Sequence, residues 1–358
     1  MNLGNFFLQS FRLVLLPVAI LYGLVVRCRN IMYDKRWLIS TSFNFPIICV
    51  GNLSVGGTGK SPMIEFLTKR LGTKYKLAIL SRGYKRKTKG YLLANSKSTA
   101  LDIGDEPMQF YQKFPHIPIA VGEERITAIP QLLQDVSDIQ LLLLDDAYQH
   151  RAIHPGFSIL LTDYSDLFTR DFYLPTGNLR DDKSSYKRAD IIIVTKCPND
   201  LPKNEKDSIS DEINCVSGQS LFFSTITYGK PYHFIQKEKI RSLDKETDVL
   251  LVSGIANITP IKDLLAEQTH GYDQLNYGDH HIFTIDDIRD IKNHFSKINN
   301  PNAIILTTEK DAVRLVKFTE NISELPIYVL PIEHTILFNE ENILMEKINH
   351  FIQSFRFN

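Results

Sequence analysis

Short, unbroken apolar runs alternate with stretches of helical period along most of the chain. The runs at 46–50, 76–80, 117–121, 139–144, 157–162 and 190–194 predict strands. Several are continuous, as in Leu141–Leu144 and Ile191–Ile193, which suits parallel strands covered on both faces. Helices fit between them, for instance over Ser61–Leu71 and Glu123–Leu133. This alternation predicts an α/β fold built on a doubly wound, mostly parallel sheet. The first series stops near Gly229-Lys230-Pro231. A second begins at 248–255, continues through 302–308 and takes in 327–332. Thr284-x-x-Asp287 resembles an N-terminal box opening a helix through about Ile298. The pattern therefore predicts an N-terminal apolar segment at 1–36, a core domain at 37–230, a smaller α/β domain at 231–335 and a C-terminal helix at 336–358.

The N-terminal segment changes the picture. Residues 13–26 (LVLLPVAILYGLVV) form an apolar run too short for the roughly 20 residues of a bilayer span. Phe6, Phe7 and Phe11 flank it on one side; Arg27, Arg29, Lys35 and Arg36 flank it on the other. These flanks suit an interfacial helix with apolar residues in the acyl boundary and cations at anionic headgroups. A buried core helix is the plainer alternative.

Composition excludes more than it selects. Across 358 residues, 41 Lys and Arg balance 41 Asp and Glu. That balance argues against nucleic acid as a partner, because bulk binding of nucleic acid leaves a basic excess. Cys28, Cys49, Cys197 and Cys215 are scattered without C-x-x-C spacing, which predicts buried, reduced thiols and no cysteine metal site.

Candidate chemistry begins at GNLSVGGTGKSP (51–62), directly after an apolar strand. Strand, glycine loop and hydroxyl-led helix come in the order of a P-loop. The stretch Ser54, Val55, Gly56, Gly57, Thr58, Gly59, Lys60 and Ser61 would wrap nucleotide phosphates with main-chain N–H groups. Lys60 would reach the β/γ oxygens and Ser61 would bind Mg²⁺. Ser54 stands where the general motif has glycine. Such a loop needs a carboxylate at another strand's end, and LLLLDD (141–146) supplies Asp145 and Asp146. Paired carboxylates there are costly unless cations or hydrogen bonds compensate.

Three further stretches bear on the acceptor. SRGYKRKTKG (81–90) carries five cations around Tyr84 and is either a solvated loop or a site for an anionic substrate or surface. GDEP (104–107) offers Asp105 and Glu106 as base and metal contact, or else an acidic turn. GDHHIF (278–283) offers a histidine beside an aspartate, an arrangement that is more often structural. Among rivals, a partition-type ATPase would place lysine where Val55 stands. A GTPase would want an aspartate that Thr195-Lys196-Cys197-Pro198 lacks, and a non-enzymatic membrane nucleotide sensor is a further alternative.

Taken together, VGNLSVGGTGKSP, SRGYKR, GDEP, VGEER, LLLDDAYQH, LPTGNLR, VTKCP, GDHH and TEKDAV resemble the tetraacyldisaccharide 4'-kinases of lipid A synthesis. The motifs run in order from residue 50 to residue 314. The resemblance implies a P-loop α/β core with a smaller closing domain and a serine at the first P-loop position. It also implies transfer of the γ-phosphate of ATP to a tetraacyldisaccharide 1-phosphate, at the cytoplasmic face of the inner membrane of Gram-negative bacteria. No obligate protein partner is expected. The resemblance gives Asp105 the role of general base supported by His280, and it gives Mg²⁺ to Ser61, Glu106 and Asp145. Arg125 would neutralise phosphoryl charge, and Tyr84, Asp146, Gln149, His150 and Arg180 would line the nucleotide or sugar pocket. Two positions depart from the family pattern: Ala147, where glycine is expected, and Asn178, where proline is common.

Overall fold

The computed structural model describes Arg12 and residues 14–355. Two sheets carry the fold. In chain order the first half comprises α1 (Leu16–Asp34), β1 (Ile47–Asn52), α2 (Lys60–Leu71), β2 (Leu77–Ser81), β3 (Leu92–Leu93), α3 (Asp105–Lys113), β4 (Ile119–Val121), α4 (Arg125–Asp135), β5 (Leu141–Asp145), β6 (Phe157–Asp163), β7 (Ile191–Thr195), α5 (Lys203–Ile213) and β8 (Ser220–Tyr228). The second half comprises β9 (Tyr232–His233), β10 (Asp248–Ser253), α6 (Thr259–Gln268), β11 (Gly271–Asn276), α7 (Ile285–Phe295), β12 (Ile304–Thr308), α8 (Glu309–Leu315), β13 (Ile327–Leu330), β14 (Ile332–Ile336) and α9 (Glu341–Ser354).

The nine-stranded sheet has the order β14-β8-β7-β6-β1-β5-β2-β4-β3 and is parallel except at its two edge strands. Alternate residues of each strand face opposite layers, which is why the central strands read as continuous apolar runs. Ile48 and Val50 pack with Met63, Ile64 and Leu67 of α2, Phe110 of α3 and Leu344 and Ile348 of α9. Ile47 and Cys49 face the opposite layer, where Ile129 and Leu132 of α4 lie with Ile209 and Ile213 of α5. The five-stranded sheet, β11-β10-β12-β13-β9, is covered likewise by α6 on one face and α7 on the other.

Two expectations change in the structure. The run 327–332, read as one strand of the smaller unit, divides at Pro331. Residues 327–330 stay in the five-stranded sheet, whereas 332–336 pair antiparallel with β8 in the nine-stranded one. Ile332 prolongs the apolar run of 327–330, so the run 327–332 by itself does not show the change of sheet, although Pro331 and the polar stretch Glu333-His334-Thr335 mark it. Cysteine burial differs too. Cys49 and Cys197 are buried, but Cys28 is exposed because α1 lays only one face on the core. That face carries Ala19, Gly23 and Asn30. Val18, Ile20, Leu21, Leu24 and Val25 project outward, more than half exposed, followed by Trp37 and Ile39.

Candidate active site

Strand β1 ends on Asn52, and the loop that follows turns back to the head of α2. Gly56 (φ 111°) and Gly59 (φ 85°) occupy left-handed backbone that favours glycine. At Gly59 space is short as well, since a Cβ would come within 2.8 Å of His334 Nε2. Lys60 opens α2 with its Nζ 3.3 Å from Asn52 Oδ1 and 3.8 Å from Asp146 Oδ1. Ser54 is buried and turns its hydroxyl to Asp171 at 3.4 Å; Val55 donates its N–H to Asn178 O at 2.7 Å. Asn178 also gives its own N–H to Asp171 at 3.0 Å, a bond that the proline common in the family would lack.

Asp145, at the end of β5, is 1% exposed. Ser81 donates to its Oδ2 at 2.9 Å, while buried Oδ1 has no hydrogen-bond partner. Burial, then the charges of Glu106 and Asp146, push its pKa up to about 7. Burial also opposes ionisation of Glu106. Lys310, Lys60 and the Ser61 hydroxyl outweigh it and hold that carboxyl below its usual range. Asp146 is likewise opposed by burial and held low by Lys60 and Arg180. The left-handed residue in this turn is Asp146 (φ 49°) and not Ala147, so alanine stands at 147 without backbone strain.

These residues fit a divalent cation. An orphaned, buried carboxylate oxygen sits near Glu106, and Ser61 Oγ lies 3.1 Å from Glu106 Oε1. Among the described residues no cluster of three His, Cys, Asp or Glu forms a complete cage. Mg²⁺ does not need one, because it keeps waters and takes phosphate oxygens.

Asp105 arrives from a different direction. It is the first residue of α3, after Gly104 with φ 95°. Its Oδ2 lies 3.1 Å from His280 Nδ1, and His280 itself has a left-handed backbone (φ 61°) with its N–H on Gly254 O at 3.2 Å. Arg314 of α8 donates to the same Oδ2 from Nε at 3.0 Å and Nη2 at 2.8 Å. Lys310, one turn earlier, reaches Glu106 Oε1 at 3.1 Å. Tyr84 is exposed beside His280, with ring centres 6.0 Å apart.

The remaining expected residues divide. Arg180 joins the cradle, donating to Asn52 Oδ1 at 2.6 Å and to Asp146 Oδ2 at 3.1 Å. Gln149 donates to Asn52 O at 2.6 Å, and its own carbonyl accepts from Arg29 of α1 at 3.2 Å. His150 is half-buried, and burial, then Arg125, push its pKa down. Arg125 is 2% exposed and donates to the carbonyls of Gly122, Glu123 and Asp145 at the end of β5, while its Nε has no hydrogen-bond partner among the described residues. Sequence reasoning missed Asn52, Lys310, Arg314 and His334, which contacts Gly59 O at 3.0 Å. The i, i+4 spacing of Lys310 and Arg314 places both on one helix face and was a usable signal.

A cavity of about 260 Å³ lies elsewhere, lined by Gln109, Lys113, Tyr232, Lys237, Glu309 and Val313 among others. It touches neither the P-loop nor Asp105.

A glycine loop on a parallel sheet, a lysine at the following helix head and an aspartate at a neighbouring strand end define a P-loop nucleotide-binding protein of the phosphotransferase kind. The family model "LpxK: Tetraacyldisaccharide-1-P 4'-kinase" matches residues 11–353, and the chain belongs to that family. It is 45% identical to the tetraacyldisaccharide 4'-kinase of Bacteroides thetaiotaomicron, over 95% of this chain and 93% of that protein. It is 46% identical to that of Flavobacterium johnsoniae, over 92% and 94%. The solved LpxK of Aquifex aeolicus, an "apo" form in complex with ATP, superposes with a TM-score of 0.74 at 27% identity, covering 96% of this chain and 99% of that one.

Proposed function

We propose that this protein is a tetraacyldisaccharide 4'-kinase, moving the γ-phosphate of ATP to the 4'-hydroxyl of a tetraacyldisaccharide 1-phosphate in lipid A biosynthesis. Family membership carries the activity, and one observation supports the chemistry: Asp105 and Glu106, neighbours on one helix turn, face the two halves of the transfer. Glu106 meets Ser61 of the P-loop, while Asp105 meets His280 and Arg314 from the five-stranded sheet. A P-loop switch ATPase has no use for the second contact.

In this reading the main-chain N–H groups of 56–60 and the Lys60 ammonium hold the phosphates. Mg²⁺, held by Ser61, Glu106 and Asp145, would neutralise phosphate charge. Phosphoryl transfer asks mainly for alignment and charge, with modest help from a base. Asp105 takes the proton of the acceptor hydroxyl as its oxygen bonds the γ-phosphorus and ADP leaves; His280 orients that carboxylate. Asp146 and Arg180 fix Lys60 and Asn52, and Arg125 supports Asp145 from behind. The exposed apolar face of α1, with Trp37 and Ile39, would enter a bilayer surface. On this reading the protein would sit peripherally at the inner membrane, beside a substrate whose acyl chains stay in lipid.

The test is incubation of purified protein with labelled ATP and a lipid disaccharide 1-phosphate. A labelled bisphosphorylated glycolipid supports the reading. ATP loss that ignores added glycolipid overturns it.

A further inference from the structure

Asp105 has two oxygens, and they are treated differently. Oδ2 receives everything: Nε and Nη2 of Arg314 at 3.0 and 2.8 Å, and His280 Nδ1 at 3.1 Å. No hydrogen bond from the described residues reaches Oδ1. The guanidinium that grips Oδ2 is itself held, since its side chain is only 5% exposed. Arg314 Nη1 donates to Asp311 Oδ1 at 3.0 Å and to Gly254 O at 3.3 Å. Asp311 is fully buried and is fixed in turn by the Thr308 hydroxyl at 2.7 Å and the Gly254 N–H at 3.0 Å. Gly254 also accepts the backbone N–H of His280. A planar fork of this kind fixes direction as well as distance, which a lysine cannot do.

We propose that Arg314 is the positioning residue of the base: it pins Asp105 by Oδ2, assigns Oδ1 as the oxygen that takes the acceptor proton, and does so from the five-stranded sheet. Asp105 belongs to α3 on the nine-stranded sheet, 209 residues away in sequence. The base therefore points correctly only while α8 is docked on α3. A guanidinium offers donors and no acceptor, so Arg314 takes no part in the proton's path. Its Nη2 also lies 3.1 Å from His280 Nδ1.

This inference rests on the kinase reading above. Arg314→Ala is expected to lower kcat about 100-fold, since small misplacements of a reacting group cost that much, while the KM for ATP stays within about threefold. Methylguanidine at millimolar concentration should restore part of the turnover of Arg314→Ala and none of that of Asp105→Ala. Arg314→Lys should fall between wild type and Arg314→Ala. If Arg314→Ala does not fold, as judged by thermal unfolding, Asp311→Asn loosens the same guanidinium, with an expected loss of about tenfold in kcat at unchanged KM for ATP. Wild-type turnover in Arg314→Ala, or equal losses of turnover and ATP affinity in either variant, overturns the proposal. A wild-type protein that phosphorylates no glycolipid would instead sink the kinase reading and leave the Arg314 geometry unaddressed.

Discussion

The two halves of the site are built from different material. The nucleotide half, 52–61 with Asp145 and Asp146, is made of main chain and strand ends within one sheet; Asn52, Ser61 and Asp145 are all at or below 5% exposure. The acceptor half is made of side chains that meet across two sheets. Asp105 and His280 stand 175 residues apart in sequence, their side chains 23% and 21% exposed. A cradle of backbone amides needs no partner to keep its shape, whereas an ionic cluster across a seam lasts only while the seam is closed. On the proposed reading, binding ATP and using it would depend on separable parts, so that an open seam would limit futile hydrolysis.

Lys60→Ala strikes the first half and should have the largest effect, with kcat/KM down about 1,000-fold and ATP affinity lost with it. Titration with a fluorescent ATP analogue checks this. Retained affinity would mean that the loop alone holds the nucleotide.

A smaller effect is expected at the seam. Lys113 of α3 bridges Glu65 of α2 and Glu309 of α8, with 2.5 Å to Glu309. Burial, then Glu309, raise the pKa of Glu65 to about 7, with Lys113 opposing, and Tyr232 and Lys237 also face the pair. Between the unfolded value near 4.5 and about 7, the native state keeps a proton that the unfolded chain has lost. The contribution is thus complete below that window and disappears as pH rises through 7, on the order of 3 kcal/mol. Unfolding temperatures measured from pH 5 to 7.5 should fall, and Glu65→Gln should flatten the slope. An unchanged slope in the variant would detach the seam from Glu65.

The smallest effect concerns α1, which is tied to the nucleotide half through Arg29 and Gln149. Leu21→Glu with Leu24→Glu should weaken binding to anionic vesicles about tenfold or more and leave ATP affinity unchanged. Flotation assays distinguish this from a helix whose outward face plays no part at the membrane.

How much could be read beforehand follows the same division. The strand runs and GNLSVGGTGKSP are contiguous, so periodicity and motif located β1, the loop and α2 within a residue or two. Asp105 and His280 were named through family resemblance, because no local pattern pairs them. Arg314 was missed although its i, i+4 spacing from Lys310 was visible, because its contact with Asp105 spans 209 residues of sequence. The burial of Arg125 at the end of β5 was not legible, because an exposed and a buried arginine look alike in sequence. The crossing at Pro331 was missed for another reason, since Ile332 extends the apolar run of β13 although it opens β14 in the other sheet.

The most direct measurement takes ATP affinity and turnover together on one preparation of Asp105→Ala, with tetraacyldisaccharide 1-phosphate as acceptor. A carboxylate that readies the acceptor predicts a loss in kcat of roughly 100- to 10,000-fold with ATP affinity held. Parallel losses in both, or near-normal turnover, would contradict a base poised across the seam.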